Sequence, residues 1–179
     1  MNKFLIALLF LLSLACVSVR LSDIDTGTYC LPVESQWNLY VFDIDNGPYI
    51  GRAFIADYGI WSAKHIFQEQ DPGVSDDVKF LGPTEVKGLT ICRQEHALKD
   101  VLYYRTQRGI VYLVITFNNE NMYETLSLNQ LKHGDSGSPV MCLKDGEVVG
   151  VVSHLTVNLN RDCIGGSIAR IKLAKIEDK

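Results

Sequence analysis

Short runs of β-branched and aromatic residues, separated by turn residues, recur along this sequence and constrain its fold more than any other feature. The early runs are 38–43, 49–56 and 59–66, with Asn46-Gly47 and Asp57-Tyr58-Gly59 as turns. The later runs are 78–81, 86–92, 100–106, 110–117, 139–143 and 148–153. Many short strands joined by tight turns favour an all-β protein, an antiparallel sandwich or barrel.

Two segments add detail to this pattern. Asp145-Gly146 separates the last two runs and predicts a hairpin. Over 167–177, Ala169, Leu173 and Ile176 fall near one face at helical spacing, which predicts a short C-terminal helix.

The N-terminus has the pattern of a secretory signal peptide. Residues 1–3 are short and positive, and 4–19 are almost entirely apolar. This apolar stretch is shorter than the roughly 20 residues that cross a bilayer. We therefore predict a leader over 1–18, with cleavage after Ala15 or Ser18, and a secreted or extracytoplasmic protein with no stable membrane anchor after cleavage. An uncleaved anchor and a lipidated leader cysteine are the alternatives.

Composition excludes several classes. Hydrophobic residues make up 47% and charged residues 21% of the chain, a balance that excludes disorder. The formal net charge of −4 provides no basic field, so we predict no nucleic acid partner.

The stretch 134–140 (GDSGSPV) carries the clearest chemical signal. A serine hydroxyl is a poor nucleophile until a base takes its proton and N–H donors hold the developing oxyanion. Gly134 can adopt backbone angles closed to other residues, so its N–H and that of Ser136 could form two convergent donors. A plain surface turn is the alternative, because glycine, aspartate, serine and proline are all turn formers.

A serine nucleophile requires an imidazole, and four histidines are available: His65, His96, His133 and His154. His65 ends a predicted strand after a glycine turn and is the best candidate. His133 is too close to Ser136 along the chain to fold back easily, and His96 lies in a polar stretch. His154 ends the run 148–153, where it could line a pocket.

These motifs resemble the chymotrypsin/trypsin superfamily of serine peptidases. Residues 61–65 (WSAKH) are similar to its histidine signature, and 134–140 match its nucleophile motif. Residues 99–104 (KDVLYY) are similar to the segment that supplies the triad acid. The strands 150–154 and 166–171 resemble the substrate-binding strand and the last strand.

The resemblance implies a peptide-cleaving mechanism. Ser136 would be the nucleophile, His65 the base and Asp100 the acid that orients it. The N–H groups of Gly134 and Ser136 would form the oxyanion hole. Asp76 and Asp77 follow His65 too closely to leave room for the family's intervening strands, which favours Asp100.

The resemblance also implies a substrate site and a partner. The substrate-binding residues by this likeness are Gln130, Ser153, His154 and Gly166. No acid lies among them, so we expect a neutral or polar substrate side chain on a protein or peptide. The resemblance implies no cofactor and no metal.

The fold implied is two antiparallel β-barrels of chymotrypsin type with a short C-terminal helix. An extension over 19–38 would precede a peptidase domain over 39–179, with lobes over 39–106 and 107–179. We expect the second barrel to be trimmed, because few residues separate Asp100 from Ser136.

The chain departs from the family in its activation and in its cysteines. No activation terminus precedes Leu39, so Asp135, which pairs with that terminus in digestive members, has no obvious partner. By the same likeness we expect the pairs Cys30–Cys92 and Cys142–Cys163, one of three pairings that four cysteines allow.

Three functions remain open at this point. The first is a secreted serine endopeptidase that acts through an acyl-enzyme intermediate. The second is a catalytically inactive homologue that acts as a secreted binding module. The third is a zinc site that uses Cys92 and His96 with distant ligands, and it has little support because metal-binding pairs at regular spacing are missing.

Overall fold

The computed structural model describes residues 16–18, 28–30, 39–47, 49–69, 71–72, 75–127, 134–157 and 163–172. Its strands are β1 (Cys16–Ser18), β2 (Thr28–Cys30), β3 (Val41–Asn46), β4 (Tyr49–Ala56), β5 (Gly59–Ser62), β6 (Lys79–Pro83), β7 (Val101–Thr106), β8 (Gly109–Asn118), β9 (Met122–Ser127), β10 (Pro139–Cys142), β11 (Val148–Val157) and β12 (Cys163–Arg170). A 3₁₀ helix, Lys64–Phe67, follows β5. Apart from β1 and β2, which pair with each other, the strands form two bodies.

The C-terminal body is a closed antiparallel barrel. Its strand order is β10-β11-β12-β9-β8-β7, and the tight turn after Thr106 sets the register of β7 on β8. Val111, Leu113 and Ile115 alternate along β8 and all point into the core, as expected for a strand with one buried face. A barrel leaves no strand edge exposed, which makes this body self-contained.

The N-terminal body is a four-stranded antiparallel sheet, ordered β3-β4-β5-β6. Ala53, Phe54 and Ala56 of β4 are fully buried against the core. Residues 86–92, predicted as a strand, instead form a connector with isolated bridges at Gly88, Leu89 and Ile91. The sheet and the barrel are therefore joined by an extended segment that is pinned to both.

The prediction of an all-β architecture is confirmed, but only one of the two predicted barrels is closed in the described chain. The N-terminal body is a four-stranded sheet, and the second barrel, which was expected to be trimmed, has six strands. β7 begins directly after Asp100 and belongs to the barrel, so the boundary between the two bodies lies before Val101. Tight turns let β7, β8 and β9 fit within 101–127. In the described chain the N-terminal body is the smaller one.

The predicted C-terminal helix does not begin where we expected it. Residues 167–170 belong to β12, where Ser167, Ile168 and Ala169 pair with both β9 and β11. Ladder hydrogen bonds on both sides outweigh a helical pattern of apolar residues in this position. The rest of that prediction, 173–177, lies outside the described residues.

Both predicted disulfides are wrong, because Cys92 and Cys142 are free and buried. Cys163 pairs with Val157 at one end of β11. Cys142 comes directly after Met141, which pairs with Val148 at the other end of β11. A strand of this length spans about 30 Å at roughly 3.3 Å per residue. A disulfide requires Cα atoms about 4–7 Å apart.

Candidate active site

His65 lies where the N-terminal sheet ends. β5 stops at Ser62, and the 3₁₀ helix Lys64–Phe67 carries His65 on its first turn. The Asn46 side chain donates a hydrogen bond to the Ile66 carbonyl at 3.0 Å, which ties this turn to β3. The imidazole is nine-tenths buried and held in one place.

Asp77, not Asp100, is the acid beside this histidine. The Asp77 carboxylate is completely buried, with Oδ2 2.6 Å from His65 Nδ1 and Oδ1 accepting from the His65 backbone N–H at 3.0 Å. The Ser153 hydroxyl donates to the same Oδ2 at 2.5 Å. Hydrogen bonds from both sides compensate the cost of burying this charge.

This arrangement fixes the chemistry of the ring. A carboxylate only accepts hydrogen bonds, so Nδ1 of His65 carries the proton. Nε2 then keeps a lone pair and is the basic nitrogen. The His65–Asp77 pair is therefore built as an oriented base.

Asp100 lies elsewhere, and its prediction as the triad acid is wrong in this structure. Its Oδ2 is 3.5 Å from His96 Nδ1, and its Oδ1 is 3.3 Å from Lys144 Nζ. The sequence reasoning required strands between histidine and acid, but the described part of 66–76 holds only the 3₁₀ helix and turns. The signal that could have found Asp77 is the apolar strand that follows it, the same signal that favoured Asp100.

The turn that carries Ser136 is wedged between the two bodies. The Ser136 backbone carbonyl accepts a hydrogen bond from the Arg52 N–H of β4 at 2.8 Å. The Gly137 N–H donates to the Val152 backbone carbonyl of β11 at 2.8 Å. Gly137 has φ +76°, and a Cβ there would lie 2.1 Å from the Arg52 carbonyl oxygen. Only glycine fits at this position, because both the backbone angle and the close approach exclude a side chain.

Gly134 and Ser136 carry the two backbone N–H groups that the sequence predicted as an oxyanion hole. Gly134 has φ +92°, in the region that favours glycine. Within the described chain, neither the Gly134 N–H nor the Ser136 N–H donates to a backbone carbonyl.

Asp135 has partners that the sequence did not reveal. Its side chain is buried, and the Tyr104 hydroxyl donates to Oδ2 at 3.0 Å. Arg52 Nη1 lies 3.9 Å from Oδ1, and Arg108 Nη2 lies 3.8 Å from Oδ2. Burial and the nearby Asp135 charge raise the pKa of Tyr104 far above its ordinary value, so Tyr104 stays a neutral donor.

A cavity of about 750 Å³ opens in front of these groups. It is lined by Tyr49, Ile50, His65, Ile66, Pro72, Gly134, Ser136, Ser153, His154, Leu155 and Val157. His65, Ser136, Ser153 and His154, all singled out in the sequence, therefore share one cavity. No hydrogen bond joins the His65 ring to the Ser136 hydroxyl in the described chain.

Of the other predicted pocket residues, the described one, Gly166, does not join this group. Gly166 lies in β12, paired with Thr125 and Leu155, and its carbonyl accepts from the Thr125 hydroxyl at 2.8 Å. It is not among the lining residues. Gln130 lies outside the described residues, as does His133.

The closed six-stranded barrel, the smaller sheet and the cavity between them are consistent with a trypsin-like fold. The chain matches 183 solved chains, one of which is kallikrein-related peptidase 10 in complex with Zn²⁺. That match has a TM-score of 0.50 and 14% identity, and it covers 80% of this chain and 93% of the other. No family model matches the chain, and no curated protein matches its sequence. The likeness shows the fold alone.

The described residues also bear on the membrane. None of their helices is long and apolar enough to span a bilayer. Most of the predicted leader, 1–15, lies outside the described residues, and Cys16–Ser18 form β1.

Proposed function

We propose that this protein is a serine endopeptidase with Ser136 as nucleophile, His65 as base and Asp77 as the acid that orients it. The observation that carries the proposal is the buried Asp77 carboxylate, which binds His65 Nδ1 and leaves Nε2 as the base in the cavity that Ser136 lines. An oriented imidazole beside a serine on a glycine turn is the arrangement that acyl transfer requires.

The mechanism follows from these roles. His65 Nε2 takes the Ser136 proton as Oγ attacks the scissile carbonyl, and the new imidazolium is stabilised by the Asp77 carboxylate. The imidazolium then gives its proton to the leaving amine, which leaves an acyl-enzyme. Water, deprotonated by His65, attacks the ester and releases the second product with Ser136 restored.

The oxyanion forms next to the two backbone N–H groups of Gly134 and Ser136. Each such donor contributes on the order of 3 kcal/mol to transition-state stabilisation. His65 and Ser136 do not yet share a hydrogen bond, and catalytic hydrogen bonds of this kind tighten when substrate binds.

The turn is held in place without a new N-terminus. Arg52, Arg108 and Tyr104 surround the Asp135 carboxylate, which in digestive relatives awaits a terminal amine. Because these partners are internal, we infer that the chain needs no proteolytic activation.

The substrate is a peptide with an apolar side chain at the cleavage point. The cavity wall combines Tyr49, Ile50, Leu155 and Val157, with His154 as its polar member besides the reacting groups. Since no acid lines the described cavity, selectivity for arginine or lysine is not expected. We also propose export, on the strength of the leader over 1–18.

The test is labelling by a fluorophosphonate probe together with hydrolysis of a peptide library. We expect labelling of the wild type, loss of labelling and cleavage in Ser136→Ala, and no change in the control Ser127→Ala, on β9 away from the cavity. Wild-type protein that is folded, unlabelled and inactive would overturn the proposal. Peptide binding without cleavage would then indicate the binding module.

A further inference from the structure

A second cluster of reactive side chains lies on the barrel, in residues that the proposed function does not use. It brings Cys92 of the connector together with Asp145 and Glu147 of the β10–β11 turn, and the His96 ring contacts the Cys92 sulfur. Ligand atoms of Cys92, Asp145 and Glu147 all lie within 4.8 Å of one another. The His96 Nε2 atom lies 3.3 Å from Cys92 Sγ.

We propose that Cys92, His96, Asp145 and Glu147 bind a divalent transition-metal ion, zinc by the nature of the ligands. Thiolate, imidazole and carboxylate are the three ligand types of protein zinc sites. Tetrahedral bonds of ordinary length to zinc place a cysteine sulfur and a histidine nitrogen about 3.5 Å apart, close to the separation observed here.

The two connector ligands are buried and pre-positioned. Cys92 is 8% exposed and His96 is 5% exposed. The Cys92 N–H donates to the Val148 carbonyl at 2.8 Å, which fixes the connector against the start of β11. The Gln94 N–H donates to Cys92 Sγ at 3.4 Å and the thiol donates to the Gln94 carbonyl at 3.8 Å, so Gln94 holds the sulfur in place.

The second nitrogen of His96 is oriented as in known metal sites. Its Nδ1 lies 3.5 Å from Asp100 Oδ2, so that Nε2 is directed at the thiol. A carboxylate behind a histidine ligand fixes its tautomer and orientation in metal sites. Asp100 thereby has a positioning role here in place of the catalytic role expected from the sequence.

A buried polar group also lies close to the β10–β11 turn. The Tyr103 hydroxyl is fully buried and has no hydrogen-bond partner in the described chain. It lies 3.8 Å from where a Cβ on Gly146, between Asp145 and Glu147, would be. A buried polar group left without a partner calls for a missing water or ion.

A nucleophilic thiol is the competing interpretation, because Cys92, His96 and Asp100 lie in line. The carboxylates of Asp145 and Glu147 disfavour a free thiolate and favour a cation. On zinc binding the thiol gives up its proton to solvent and the thiolate sulfur bonds to the metal.

The experiment is a zinc titration of the full, chelator-stripped chain, in competition with a chromogenic chelator, followed by cobalt absorption spectra. We expect one zinc ion per chain and a thiolate-to-cobalt charge-transfer band. Cys92→Ser and His96→Gln should weaken zinc binding by more than tenfold, and Asp100→Asn by about tenfold. The matched control is Cys142→Ser, which removes the other free buried thiol and should leave zinc affinity unchanged.

Two results would overturn the proposal: wild-type protein that does not bind zinc saturably, or Cys92→Ser protein that binds it as the wild type does. If Cys92→Ser fails to fold, Glu147→Gln on the half-buried turn serves instead, and unchanged zinc affinity in this variant together with no cobalt–thiolate band in the wild type would overturn it. Zinc binding that is lost in His65→Gln but kept in the variants of the proposed ligands would also overturn the proposal. Ser136→Ala should bind zinc normally, so this test is separate from that of the peptidase.

Discussion

The molecule contains two histidine–aspartate pairs that differ in their surroundings. His65 Nδ1 is 2.6 Å from Asp77, whose carboxylate is completely buried and also bound by Ser153. His96 Nδ1 is 3.5 Å from Asp100, which is partly exposed and shared with Lys144. The first pair faces a cavity with a serine, and the second faces a buried thiol.

We infer from the two proposed functions that the neighbour of the second ring nitrogen distinguishes the pairs. In both pairs the carboxylate orients the ring, so the pairs differ in what Nε2 reaches. A serine hydroxyl beside Nε2 suits proton transfer, whereas a thiol with two carboxylates suits a metal ion. The predictions below test this division, beginning with the largest expected effect.

The largest expected difference between the two pairs is in kcat when the aspartate of each pair is replaced by asparagine. Asp77→Asn should lower kcat by on the order of 10⁴, because an amide no longer stabilises the imidazolium or fixes the Nδ1–H tautomer. Asp100→Asn should change kcat less than threefold when assayed with saturating zinc. Peptide hydrolysis measures both, with circular dichroism as the folding control. A greater loss of kcat in Asp100→Asn than in Asp77→Asn would instead support Asp100 as the triad acid, as the sequence predicted.

The same contrast between buried and exposed partners applies at Asp135. Arg52→Met removes a buried guanidinium, one-tenth exposed, that also binds Ser138 and the Arg105 carbonyl. We expect about 3–5 kcal/mol lower stability in urea unfolding, since a buried carboxylate loses a partner.

Arg108 is the matched control, because its side chain is half exposed. Arg108→Gln should cost about 0–1 kcal/mol. Equal losses in the two variants would contradict the assignment of Arg52 as the main support of the turn.

A smaller effect is expected from Ser153, whose hydroxyl donates to the Asp77 carboxylate of the first pair. Ser153→Ala removes one hydrogen bond to the buried carboxylate and should lower kcat/KM about tenfold while zinc binding is unchanged. Ser167→Ala removes a serine in the same barrel that donates to Glu124 at 2.7 Å, and it should alter stability without a comparable loss of activity. Similar kinetics in the two variants would mean that Ser153 has a structural role only.

The smallest effect is expected at the exposed member of the second pair. Lys144 is 64% exposed where it contacts Asp100, so its charge is largely screened. Lys144→Gln should change the free energy of unfolding by less than about 0.5 kcal/mol. A larger loss in urea unfolding would show that Asp100 is fixed more by Lys144 than by His96.

Several parts of the site could be predicted from local sequence. The glycine turn around Ser136 and the strand before His65 follow from short-range patterns, because their conformations depend on neighbouring residues. Ser153 and His154 were predicted on a strand and do line the cavity.

The remaining parts depend on contacts between distant residues. Asp77 was dismissed because of its short distance from His65 along the chain, yet a turn with Asp76 at φ +70° brings it back to the ring. The Arg52 and Arg108 partners of Asp135 come from different bodies of the fold. Strand pairing on both sides likewise kept 167–170 from forming a helix.

The sequence by itself determined the all-β character, the glycine turn that carries Ser136 and the strand before His65, because periodicity and turn chemistry act over a few residues. Only the tertiary structure decided which aspartate faces which histidine and which body closes into a barrel. The reason is physical: a buried carboxylate is chosen by the donors that surround it, and those donors come from strands far apart in the chain.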